Sequence, residues 1–583
     1  MKNIKAIAIV FAASLMMGGC YSLDRYPDYQ LSSGTFWKTQ DHADQAMMAV
    51  YDKMHNEMVY GCYFGYDCLG RIGFGYDTYA FDACMKGTTA TNWGMYMTKW
   101  QNLYEGITRA NVVLQNIDRV DMSDDLKAQY KGEAKFMRAL YYFNLLDFYG
   151  GVPIYDETVV VSDEFGKMLS PRSSDEDVRA LIIKDLNDAI ASLPTSWATG
   201  GRATKTAAQA LKGKVLLYNK QYKDAADMFE AVVKSGNHAL YPSYENLFKP
   251  GGDESSEMIF AVQNLSGVST KNGMPSTFYL GSRASYGSCW DNVGPATDFV
   301  DTYEYTDGRA FSWEEVYPGY DDIATPSGNT VRKEVWQSTL NTSAPANNNY
   351  NDYISKWTSH KDELLALYEQ RDPRLSQTMI LPYTMYKGWY QNKACDMIFI
   401  MPTGNLNAGI TDGHGVVRPN KNWFRYLYRK FVAEYDMDGQ ITDRAHTPIN
   451  FPVIRYADVL LMLAECYNEL DRQGDAVKYI DMVRTRAGMP GLAVVAAKQG
   501  KSVNSKAWIF ERIKLERGWE FAAEGLSFSD ERRWGILEEQ NGSKYDIMGF
   551  ARYTRKVLPR DYLWPIPQSE IDLNEALEQN PGW

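Results

Sequence analysis

The sequence predicts a mainly α-helical scaffold of stacked helix pairs, interrupted by one large loop-rich insertion. Helical apolar periodicity falls in two blocks, about residues 36–240 and 451–583, and a similar spacing of small and large residues recurs in both. In residues 206–235, Gly213, Tyr222, Ala225 and Phe229 follow the small, aromatic, small, large order of a tetratricopeptide helix pair. Leu463, Ala464, Tyr467, Ala476 and Ile480 repeat much of it. Such pairs bury their apolar faces only by stacking on neighbours, so the late pair is expected to pack on the early block. Residues 241–450 then form an insertion.

At the N-terminus, Lys2 and Lys5 precede an apolar run from Ala6 to Met17, followed by Gly18, Gly19 and Cys20. The run is about a dozen residues, short of the roughly 20 that span a bilayer, and reads as a signal peptide, residues 1–19. Gly18-Gly19-Cys20 resembles a bacterial lipobox, which makes Cys20 the lipidation site and residues 20–35 a tether. Several acyl chains on one residue exceed the two signals needed for stable anchoring, so the mature protein is expected to stay on a membrane.

The first helical block opens with Ala43, Ala46, Met47, Val50 and Met54 at helical spacing, and Trp100, Leu103, Tyr104, Ile107, Val113 and Leu114 repeat the pattern. Ser123 caps a third helix ahead of Asp124 and Asp125, and Ser173 with Glu176 forms a capping box before Val178–Leu193. A loop-rich excursion at 60–93 alternates glycines with aromatic residues. The insertion carries turn signals at Pro250-Gly251-Gly252, Asn272-Gly273, Asp307-Gly308 and Asp412-Gly413. Long loops with short strands, held on rigid helices, are where binding sites usually sit.

Loss of residues 1–19 removes two lysines and takes the formal charge from -12 to -14. An acidic chain without a basic stripe argues against nucleic acid and favours neutral or weakly charged ligands. Cys62, Cys68 and Cys84 are close enough in sequence for one bridge, while Cys466 on a helical pattern reads as a buried thiol. The six histidines show no metal-ligand spacing, and there is no Gly-x-Ser-x-Gly elbow or phosphate loop. Asp436, Asp438 and Gly439 hint at calcium, but the glycine comes too early for an EF-hand loop and a turn fits better. No metal or cofactor is expected. A glycosidase needs two suitably separated carboxylates, for which Asp77, Asp82, Asp291 and Asp298 are the candidates.

Aromatic residues make up 14% of the chain, and many lie in the loops. A pyranose ring packs its C–H face flat on Trp or Tyr while its hydroxyls seek Asn, Asp, Arg and Gln. Two stretches hold both kinds of residue: Arg71, Tyr76, Asp77, Tyr79, Asn92 and Trp93 in one, and Arg283, Tyr286, Trp290, Asp291 and Asn292 in the other. They predict a shallow platform with Trp93 and Trp290 as stacking surfaces. Trp313 and Trp389 are weaker candidates, and Trp100 reads as core.

Leu23-Asp24 with Pro27, Phe36-Trp37-Lys38-Thr39, Trp100, Tyr104, Ile107 and Asn111, Arg138-Ala139, and Tyr149-Gly150-Gly151-Val152-Pro153 are runs that resemble the SusD/RagB family of outer-membrane nutrient-binding lipoproteins. Asp372-Pro373-Arg374-Leu375, Ile454-Arg455-Tyr456-Ala457-Asp458, Trp564-Pro565-Ile566-Pro567 and Gln579-Asn580-Pro581-Gly582-Trp583 extend the likeness to the end. Glu524-Gly525 leading to Ser527 and Asp530 departs from the pattern, as does Asn574-Glu575. The resemblance implies four tetratricopeptide-like helix pairs, a surface-exposed, lipid-anchored protein at the cell outer membrane, and non-catalytic glycan binding with delivery to a SusC-like TonB-dependent transporter. Oligopeptide uptake, a tetratricopeptide adaptor and a surface glycoside hydrolase are the alternatives.

Overall fold

The computed structural model describes residues 36–159, 168–265, 272–322, 326–403, 415–418 and 423–583. Cys20, the signal peptide, the tether and the Asp412-Gly413 turn lie outside the described residues. The scaffold is built on α1 (Gln40–Asp52), α2 (Gly94–Asn116), α3 (Asp124–Tyr149), α4 (Asp175–Ser192), α5 (Lys205–Tyr218), α6 (Tyr222–Lys234), α7 (Tyr456–Glu469) and α8 (Gln473–Arg486). Consecutive members pack as four pairs, and α7 packs on α6 across the long insertion. Of the helices that follow, α9 (Lys506–Phe521) packs against α7 and α8, and α10 (Ser527–Trp534) comes after it.

Small residues set the helix crossings. A Cβ on Gly213 would lie 2.5 Å from the Phe229 ring, and one on Gly106 would lie 2.5 Å from the ring of Tyr141. Arg138 of α3 joins three helices: its guanidinium makes two bonds to Asp185 of α4, at 2.7 and 2.8 Å, and donates to Asn111 Oδ1 of α2 at 2.6 Å. Ser123 Oγ accepts from Leu126 N at 3.3 Å, which caps α3. The cap of α4 is Ser174, not Ser173, and accepts from Asp177 N at 3.1 Å. Ser173 is engaged elsewhere, since its backbone N–H donates to Val152 O.

Short strands organise the loops: β1 (Gly73–Gly75), β2 (Met258–Val262), β3 (Val293–Pro295), β4 (Met385–Tyr390), β5 (Lys393–Phe399), β6 (Val416–Val417) and β7 (Phe451–Arg455). β2 and β7 pair antiparallel, Phe451 opposite Val262, while β4, β5 and β6 make a three-stranded sheet. A buried ion network fastens these segments to α9. Arg455 reaches Glu257, Glu520 and Glu524, each at 2.8 Å, and Arg374 reaches Asp372, Glu516 and Glu520 at 2.7, 2.7 and 3.1 Å. Arg484 and Arg512 converge on Glu304 at 3.2 and 2.7 Å. The Asp372–Leu375 and Ile454–Asp458 runs are thus structural.

The closing segment completes the core. Trp564 is buried with ring contacts at 4.7 Å to Phe148 and 4.9 Å to Tyr96, and Asn580 Nδ2 donates to Tyr149 O and Trp564 O. The six cysteines from Cys62 onward are free thiols, so the suggested bridge among Cys62, Cys68 and Cys84 does not form. Among the described residues no helix is long and apolar enough to cross a membrane.

Two buried acids sit where α10 meets the loop leading to β1. Asp67 accepts from Ala523 N at 2.8 Å and Ser527 Oγ at 3.1 Å; Glu531 accepts from Arg71 N at 2.8 Å. Burial, partly offset by these bonds and by Arg71, pushes both carboxyls up to about 7. A folded value raised above the ordinary one, about 4, gives a stability contribution that is full below pH about 4 and lost as pH rises through about 7. Between pH 5 and pH 8 the thermal midpoint should fall, and Asp67→Asn should fall less over that window. An equal fall in both would refute the assignment.

Candidate ligand-binding site

β1 and β3 pair antiparallel, Gly73 opposite Pro295, Phe74 opposite Gly294 and Gly75 opposite Val293. This ladder sets the 71–93 stretch beside 279–303. The backbones approach so closely that a Cβ on Gly75 would lie 2.3 Å from the Asn292 carbonyl oxygen. Beyond the ladder, Tyr76 OH donates to Trp290 O at 2.7 Å, and Asn292 Nδ2 donates to Asp77. Asp77 Oδ1 accepts from Tyr79 N at 3.0 Å and caps the turn at Thr78–Ala80.

At the centre lies Arg425, which is buried. Its guanidinium pairs with Asp291 Oδ2 at 3.0 Å and donates to the Asp291 carbonyl. It also sits over the rings of Tyr76, Phe74 and Trp423, at 5.2, 5.4 and 5.6 Å. Trp423 stacks on Phe74 at 5.1 Å and meets Tyr76 edge-on at 5.4 Å. Trp290 is 43% exposed and packs on Phe278, with the Arg283 guanidinium 5.9 Å from its ring. Tyr286 and Trp389 form a neighbouring half-buried pair at 5.1 Å, and Trp389 N donates to Ala284 O. Arg444 donates to the carbonyls of Gly287 and Ser288, which clamps the loop carrying Trp290.

The expected residues therefore divide. Tyr76, Arg283, Tyr286 and Trp290 form a ring-bearing rim. Asp291 and Asn292 are only 2% and 1% exposed, because their polar groups are drawn inward to Arg425 and Asp77. Arg71 is likewise committed, donating to Lys514 O at 2.8 Å, and Tyr79 OH donates to Glu57 at 2.5 Å. Asn92 is exposed. Trp93 belongs to a different cluster: it meets Tyr96 edge-on at 5.0 Å and Phe81 at 6.1 Å, and Tyr96 in turn contacts Trp564 and Trp583. Trp100 and Trp313 are buried. Sequence reasoning missed Trp423, Arg425 and Arg444, whose only local signal was the aromatic-dense run Trp423-Phe424-Arg425-Tyr426.

Flat rings on a rigid ladder, with polar groups between them, can hold a ring-shaped polar ligand by stacking. The candidate catalytic carboxylates have structural partners: Asp82 with Lys86 at 2.7 Å, Asp298 with Lys544 at 2.9 Å, Asp77 in a cap and Asp291 on Arg425. The Asp436–Gly439 stretch is a turn, Gly439 N donating to Asp436 O. Burial pushes the Cys289 thiol up to about 12.

The model of the SusD family matches residues 256–583, and a second, described as starch-binding associating with outer membrane, matches residues 22–217. SusD-like protein P25 of Formosa agariphila is 22% identical, with 99% of this chain and 98% of that protein aligned. The starch-binding protein SusD of Bacteroides thetaiotaomicron is 24% identical over 83% of this chain and 78% of its own length. Among solved structures, a SusD-like carbohydrate-binding protein from Bacteroides fragilis superposes with a TM-score of 0.70 at 23% identity, covering 93% of this chain and all of that one. A laminarin-binding SusD-like protein gives 0.61 at 22% identity, covering 94% and 100%. With a family model spanning more than half its length and the helix-pair scaffold in place, this chain belongs to the SusD family.

Proposed function

We propose that the protein is a non-catalytic, surface-exposed glycan receptor, anchored to the outer membrane through Cys20, that passes an oligosaccharide to a SusC-like TonB-dependent transporter. The observation that carries the reading is the β1–β3 ladder with Arg425 at its centre, which gathers the rings of Tyr76 and Trp423 around one guanidinium while Tyr76 OH holds the backbone of the half-exposed Trp290. Relatives named for binding starch and laminarin support the ligand class. Capture and release need only weak binding, with Kd around micromolar to millimolar. Hand-over then depends on fast dissociation, which shallow stacking permits.

Titration of the mature protein against glycan and peptide panels tests the reading. Glycan binding is expected, with Trp290→Ala lowering affinity about tenfold, the value of one lost stacking contact of about 1.4 kcal/mol, and leaving the thermal midpoint within a few degrees. Binding of peptides alone, release of free sugar, or full affinity in Trp290→Ala would each overturn it.

A further inference from the structure

A cavity of about 390 Å³ lies between the turn after Tyr244–Leu247, strand β4 and the loop 429–440. Its volume is in the range of small-ligand pockets, about 300–1,000 Å³. Phe248, Phe431 and Ile449 give it an apolar wall. Lys249, Lys387 and Arg429 converge on Glu434 at 3.4, 3.2 and 3.0 Å. Burial acts to raise the Glu434 carboxyl, but the three cations outweigh it and hold the group below its ordinary value. Lys249, Lys387 and Arg429 face Glu245, Glu434 and Asp438, three charges of each sign, and Lys430 is taken by Glu524 at 2.6 Å, so the cavity carries no net charge.

The wall is also built at a conformational cost. Phe431, Tyr435, Met437 and Asp438 all line the cavity and all have left-handed backbones, with φ of 62°, 50°, 53° and 55°. Each such non-glycine residue costs on the order of 1 kcal/mol, and strain of this kind collects at functional sites. Among the described residues Arg429 Nε is a buried donor without a hydrogen-bond partner. Tyr435 N donates to Lys387 O and Trp389 N donates to Ala284 O, so this loop and the rim loop lie along the same edge of β4.

We propose that this cavity is a second saccharide site, which takes one or two uncharged pyranose units of a chain lying along the rim. Donors and acceptors of both signs, with no net field, suit neutral hydroxyls and give an anion no advantage. The apolar wall receives the ring's C–H face. The ligand class rests on the glycan reading above, whereas the site does not.

Hydrogen exchange of the mature protein with maltohexaose, laminarihexaose and mannohexaose, each at millimolar concentration, tests it. Protection of amides 431–438 by at least one of them is expected. Glu434→Gln and Lys387→Gln should each weaken that hexasaccharide about tenfold, as expected for loss of one charge-assisted hydrogen bond. Lys387 is half exposed, so its variant keeps the test valid if Glu434→Gln misfolds. Unprotected 431–438 with all three sugars, or wild-type affinity in a folded Lys387→Gln protein, overturns the second site. Protection of 283–292 is the separate readout of the rim.

Discussion

Glu520→Ala is expected to destabilise the protein by about 3–5 kcal/mol, the cost of removing one partner from a buried ion network. Glu520 lies on α9 and accepts from Arg455 at 2.8 Å, from Arg374 at 3.1 Å and from Arg486. Its removal takes one carboxylate from three guanidiniums at once, leaving Arg455 with Glu257 and Glu524, Arg374 with Asp372 and Glu516, and Arg486 with Glu257, in a buried network that joins the insertion to α8 and α9. Burial alone would raise its carboxyl, yet Arg486, Arg455 and Arg374 hold it well below the usual carboxylate range. A depressed folded value gives stability that is present above the ordinary pKa, about 4.3, and is lost as pH falls through the folded one. The variant should therefore show its full defect at neutral pH, read as a fall in thermal midpoint. A midpoint within a degree or two of wild type would remove the network from any account of stability.

Arg425→Ala should abolish detectable glycan binding while the helical scaffold stays folded. The substitution takes away the cation facing the Asp291 carboxylate and the charge over the rings of Tyr76, Phe74 and Trp423. Breaking one side of a buried pair costs about 3–5 kcal/mol, and even 3 kcal/mol felt at the rim corresponds to more than a hundredfold in Kd. Asp291 already has a left-handed backbone, φ 55°, so its loop has strain to release once the pair is gone. Amides 286–292 should exchange faster in the variant, with unchanged far-UV helicity. Arg425→Lys keeps the charge but loses the planar fork, so an intermediate affinity is expected. Wild-type exchange and affinity in Arg425→Ala would show that the rim does not depend on this residue.

The scaffold was legible because its signals are local. The Gly213–Phe229 spacing lies within one helix pair, and the clash a Cβ would make there explains why a small residue is needed. Caps were legible to within one position: Ser123 serves as expected, and the α4 cap moved to Ser174 because Val152 engages the Ser173 backbone. The rim was legible only as composition. Trp93 and Trp290 look alike in sequence, but Trp93 belongs to the cluster closed by Trp564 and Trp583, nearly the full chain away. Asp291 reads as an exposed loop carboxylate until Arg425, 134 positions on, is brought against it. Pairings at that distance leave no periodic trace.

That separation also dictates an order of assembly. The helix pairs join neighbours in the chain, whereas the β1–β3 pairing closes a loop that runs from Gly75 to Val293. Closing so long a loop brings its entropic cost before any contact offsets it, so such pairings form late. A chain whose helix pairs have formed but whose Val293 has not reached Gly75 would have its scaffold without its paired rim.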